Sequence, residues 1–102
     1  MELTHALAAR CLDAIVDGTI SIAQVDALQA QLAQSLPGCT PRVHGILLQV
    51  QVLARQAATA IAELADRNTP LSDMHGWTDQ LEECRRAVPA LRRDMHLGLD
   101  VL

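Results

Sequence analysis

Apolar residues along this chain recur at intervals of three and four, the spacing that lines up one face of an α-helix. Leu3, Leu7, Cys11 and Ile15 form the first such stripe, and Gly18 follows where a left-handed residue ends many helices. The pattern predicts a first helix over Leu3 to Asp17. Ser21 and Gln24 then have the spacing of a capping box, with Ile20 placed to staple onto Val25, so a second helix is expected from Ile22 to Ser35. Its buried stripe is Ile22, Val25, Leu28 or Gln29, and Leu32.

Pro37-Gly38 breaks the chain. Thr40 is then expected to cap a third helix with Pro41 in the first helical position, where its missing N–H does no harm. This helix should run to about Arg67. Its main stripe is Val43, Ile46, Val50, Leu53, Ala57, Ile61 and Leu64, while Leu47, Leu48 and Val52 fall off it. Apolar surface on several faces calls for several neighbours.

Thr69-Pro70 repeats the opening device for a fourth helix, whose apolar positions from Met74 through Trp77, Leu81, Cys84, Val88 and Leu91 to Met95 keep heptad phase. Pro89 lies inside that stripe, so one long helix bent at Pro89 is expected, with Gly98 as its stop. Gly76 leaves an alternative, a short turn over Leu71 to His75 with the main helix starting near Thr78. The fold expected is all-α, a single four-helix bundle-like domain over residues 1–102: two short N-terminal helices, two longer ones, and the last kinked at Pro89.

Composition agrees. Trp77 is the only aromatic residue, with Phe and Tyr absent, so the core must be aliphatic. The chain carries a formal charge of −4, and its cations are eight arginines with no lysine, a poor match to a phosphate-tracking surface. No nucleic-acid partner is expected. The N-terminus shows no secretory pattern, and Val43 to Ala62 carries Arg55 and several glutamines, which reads as too polar for a membrane span. Cys11, Cys39 and Cys84 cannot all pair within one chain and match no zinc or redox spacing, which fits a reducing, cytoplasmic setting.

Several residues have spacings that suggest chemistry. Asp13, Asp17, Gly18, Ile20 and Ser21 fall at calcium-loop positions, but Ile15 and Gln24 stand where oxygen ligands are essential. Di-metal bundles need two Glu-x-x-His pairs, and only Glu2 with His5 has that spacing, at a terminus expected to fray. His75 and His96 sit three heptads apart, too far to share an ion within one helix. Cys39 precedes a helix start with His44 one turn in, a thiol and base without an acidic orienter. Arg85, Arg86, Arg92 and Arg93 are interleaved with acids and read as a salt-bridged face, with Glu82 and Arg86 as an i,i+4 pair.

The reading that remains is a non-enzymatic protein-binding module, an adaptor, chaperone or inhibitor acting through an apolar helix face, with no cofactor. A homodimer is expected, with Leu47, Leu48 and Val52 exposed on helix three and Met74, Trp77 and Met95 as further interface residues. Two rivals are a metal- or cofactor-binding bundle using His44, His75, His96 and the cysteines, and a small enzyme or enzyme subunit using Cys39 and His44. The order of two short helices and one long one over Leu3 to Arg67 resembles flagellar and type III secretion chaperones. That resemblance implies a role in covering a partner's surface.

Overall fold

A computed structural model describes the backbone of residues 2–35 and 41–101 and the side chains of residues 4–34 and 41–95. The described residues form four helices and no strand: α1 (Glu2–Asp17), α2 (Ile22–Ser35), α3 (Pro41–Ala65) and α4 (Leu71–Val101). The architecture is all-α and bundle-like, as the spacing predicts.

Helix ends follow local chemistry. Gly18 has φ +73°, a left-handed conformation that closes α1, and the Thr19 N–H donates back to the Ala14 carbonyl at 2.8 Å. The Ser21 N–H donates to Oε1 of Gln24 at 3.0 Å and the Gln24 N–H to Oγ of Ser21 at 3.4 Å, a reciprocal capping box at the start of α2. Ile20 and Val25 are both buried beside it. Thr40, the expected cap of α3, lies outside the described residues.

Two helix ends depart from the sequence reading. α3 stops at Ala65, because Asp66 turns the chain: its carboxylate accepts the Asn68 N–H at 2.9 Å and its carbonyl the Thr69 N–H at 3.3 Å. Thr69 works on the helix behind it, its hydroxyl donating to the Glu63 carbonyl at 2.7 Å. At the far end α4 does not stop at Gly98 but continues to Val101. As the unbroken stripe predicts, it is one helix from Leu71 onward, through both Gly76 and Pro89. Pro89 is exposed, so the bundle accommodates the missing amide on its wet side.

α1 and α3 each contact all three other helices, while α3 against α4 is the most extensive pairing. The molecule measures 47 × 23 × 19 Å. Its long axis matches the length of α4, roughly 46 Å at 1.5 Å per residue. α1 and α2 are too short to cover the α3–α4 pair along its whole length.

The core is aliphatic. Leu12 and Ile15 of α1, Val25 and Leu28 of α2, Leu47 and Val50 of α3 and Val88 of α4 are inaccessible to solvent. Two stripes are corrected. Ile22 is exposed, so α2 buries Val25, Leu28 and Leu32. On α3 the most deeply buried line passes through Leu47, Val50, Ala54, Ala57 and Ala58, with Ile46, Leu53, Ile61 and Leu64 half-buried against it. Alanines at the centre allow three helices to approach α3 at once.

Thr4 and His5 are buried, so the start of α1 is packed rather than frayed. Ion pairs tie the outer surface together. Arg92 pairs with Asp13, Arg55 reaches Asp26 at 3.6 Å and Gln29 at 3.0 Å, and Arg85 pairs with Glu82 at 2.6 Å. Glu82 thus accepts from Arg85, three residues further on, rather than pairing with Arg86. The Arg85 guanidinium also reaches the Ile15 carbonyl at the end of α1. α3 is long and apolar enough to cross a membrane by length and composition, contrary to the sequence reading, and here it packs against α1, α2 and α4.

Candidate functional site

On α3, Leu48 and Val52 are one turn apart and face outward, 41% and 57% exposed. Two polar side chains, Gln49 and Gln56, share that face, and Leu53 runs inward from it to the core. The facing side of α4 presents Ala87, Ala90, Leu91 and Asp94. Between these walls lies an open groove of about 480 Å³. Across it, Ala87 and Ala90 face the larger aliphatic residues of α3. No residue of α1 or α2 lines it, so it lies on the side of the α3–α4 pair that those helices leave uncovered.

The groove continues. At Leu53 and Gln56 it adjoins a second depression, also about 480 Å³, whose α4 wall carries Gly76, Asp79, Gln80 and Glu83. The Gln80 side-chain amide donates to the Gln56 carbonyl at 2.9 Å, bridging the two helices at the junction. Beyond it, Gly76 and Gln80 also border a depression lined by Trp77. From Gly76 to Asp94 the trough follows α4 for about 27 Å at 1.5 Å per residue.

The expected interface residues divide. Leu48 and Val52 are on the groove wall. Leu47 is wholly enclosed by the chain's own core, because the α3 face it occupies meets other helices of the bundle. Met95 is buried at 8% exposure, beside His5 and Val43. Met74 and Trp77 are half-buried, Trp77 packing against the core. Ala87, Ala90 and Asp94 are not legible as a surface in the sequence, since only the pairing of α4 with α3 brings them together.

The residues of the chemical rivals are dispersed. No group of three His, Cys, Asp or Glu side chains that could hold a metal ion occurs among the described residues. His75 is exposed on α4; the side chain of His96 lies outside the described residues. Cys39 also lies outside them, so its relation to His44 is not described; Nδ1 of His44 is buried without a hydrogen-bond partner among the described residues. Burial raises the Cys11 thiol to about 11 and also raises Cys84, to which the neighbouring Glu83 charge adds. Neither is set up as a thiolate nucleophile. Ile15, at the third position of the calcium-like loop, is buried, and Asp13, at the first, is engaged by Arg92.

No family model, curated protein or solved structure matches this chain. The likeness to secretion chaperones therefore rests on helix order alone, and the groove must be read from its own chemistry.

Proposed function

We propose that this protein is a non-enzymatic binding module that takes up an α-helix of a partner in the α3–α4 groove. One observation carries the reading: two packed helices leave an open, largely apolar trough with Leu48 and Val52 on one wall and Ala87, Ala90 and Leu91 opposite. A trough between two helices has the shape into which a third helix packs, and exposed aliphatic residues on its wall offer the apolar surface that the stripe of such a helix covers. The thiols and histidines supply no competing constellation among the described residues.

Selection from a library of helical peptides on the full chain tests this, with Val52→Glu and Ala90→Arg as counter-selection. Selected peptides should lose at least about ten-fold in affinity, or 1.4 kcal/mol, against either variant. The variants should keep the parent's helicity and melting temperature, because both positions are exposed. Peptides that bind both variants as well as the parent would place recognition elsewhere.

A further inference from the structure

The charges of the trough are one-sided. Asp79 and Glu83 stand on its α4 wall at one end and Asp94 at the other, and neither stretch of the trough has a basic side chain in its lining. None of the three has an ion-pair partner among the described residues, whereas Asp13, Asp26 and Glu82 each hold an arginine. The α3 wall is neutral, with Leu48, Val52 and two glutamines. Arg86 and Arg93 lie on α4 outside the walls, on its solvent side.

We infer that the occupant is an amphipathic helix of another protein with lysine or arginine along one flank of its apolar stripe. This rests on the helix-binding reading above and specifies its ligand. Seated with its apolar stripe over Leu48, Val52 and the alanines, such a helix turns one flank toward α4, where three carboxylates spaced along about 22 Å would meet cations. Complementary charge at the rim of an apolar contact fixes register and selects the partner. A second copy of this chain fits less well. Seating α4 of a mate in the trough brings its Asp79, Glu83 and Asp94 toward the same carboxylates, and the one cation on the α3 face that carries Leu48 and Val52 is Arg55, already held by Asp26 and Gln29 of α2.

Three probe peptides of about 18 residues decide it: a leucine-striped helix with a lysine flank, the same stripe with a glutamate flank, and a scramble of the first. Each is titrated into the full chain by calorimetry, with emission of Trp77 at the end of the trough as a second readout. The lysine peptide should bind at least about ten-fold tighter than the other two, and the combined variant D79N/E83Q/D94N should abolish its advantage over the glutamate peptide. Its affinity should fall as salt rises from about 0.05 to 0.5 M.

Equal binding of the lysine and glutamate peptides, both lost on Val52→Glu, would overturn the cationic flank and leave the groove reading standing. Equal binding of lysine peptide and scramble would show charge attraction without helix recognition and overturn the inference. So would failure of every peptide to bind. A dimer of the parent by light scattering that Val52→Glu converts to monomer would assign the trough to a second copy.

Discussion

The amides of Ser21 and Gln24 are each satisfied by the other residue's side chain, at 3.0 and 3.4 Å, directly after the positive-φ turn at Gly18. This closure explains why a segment with calcium-loop spacing has a structural use. Oε1 of Gln24 accepts from the Ser21 amide, and Ile15 is in the core. Gln24→Ala should cost about 1 kcal/mol, lowering the melting temperature by roughly 4–8 °C, while Gln24→Glu keeps the acceptor. Millimolar calcium should leave the parent's melting curve in place. A Gln24→Ala protein melting with the parent, or a calcium-stabilised parent, would contradict this assignment.

The buried thiols predict both a labelling order and a pH dependence. Cys11 and Cys84 are each 2% exposed and held protonated by burial, so brief alkylation of the native chain should modify Cys39 first. Mass mapping of the alkylated peptides reads this directly.

Linkage gives the sign of the pH effect. The unfolded Cys11 thiol ionises near pH 8.5, whereas the folded one holds its proton to about 11. Between those values the unfolded chain binds fewer protons, so stability is full below about pH 8.5 and declines as pH rises toward 11. Urea melts at pH 8 and pH 10.5 should show the decline, and Cys11→Ala should make it shallower. An unchanged slope in that variant would assign the alkaline loss to other groups.

Pro89 sits inside a continuous 31-residue helix, on its exposed side. Its ring nitrogen leaves the Arg85 carbonyl without the usual i+4 donor and crowds the preceding turn. Pro89→Ala restores the donor at a position with no packing to lose. It should raise stability by about 1 kcal/mol or more, within the roughly 3 kcal/mol that proline costs a helix interior. Thermal melts and far-ultraviolet dichroism would show it. A destabilised Pro89→Ala would mean that the bundle is shaped around the proline.

Helix number and most helix ends were legible because they are written in local chemistry: Gly18, the Ser21–Gln24 box and Pro41 act within a few residues of themselves. Thr69 is less legible, because a hydroxyl with the sequence position of a forward cap donates backward to Glu63, a choice set by the turn at Asp66. The buried stripe on α3 lies off the line of large aliphatics because Ala54, Ala58 and Ala60 are buried by helix approach rather than by side-chain size. The groove was half legible. Leu48 and Val52 could be seen as surplus apolar surface on one helix, but Ala87, Ala90 and Asp94 become a wall only when α4 lies beside α3.

Leu47 and Leu48 provide the sharpest test of which α3 face is which, being adjacent, chemically identical and oppositely placed. Leu47 is fully enclosed and Leu48 is 41% exposed. Removing a buried leucine forfeits its transfer free energy and leaves a cavity the neighbours only partly fill, so Leu47→Ala should cost about 2–5 kcal/mol. Leu48→Ala lies on the open wall and should stay within about 1 kcal/mol. Glutamate sharpens the contrast. Leu47→Glu buries a carboxylate with no cation to meet it and should prevent folding, whereas Leu48→Glu adds a charge in water and should fold like the parent. Urea denaturation of the alanine pair and dichroism of the glutamate pair measure both contrasts. If Leu48→Glu were to lose its fold or melt well below the parent, the α3–α4 trough would already be covered in the free protein, by a second copy whose presence light scattering would reveal.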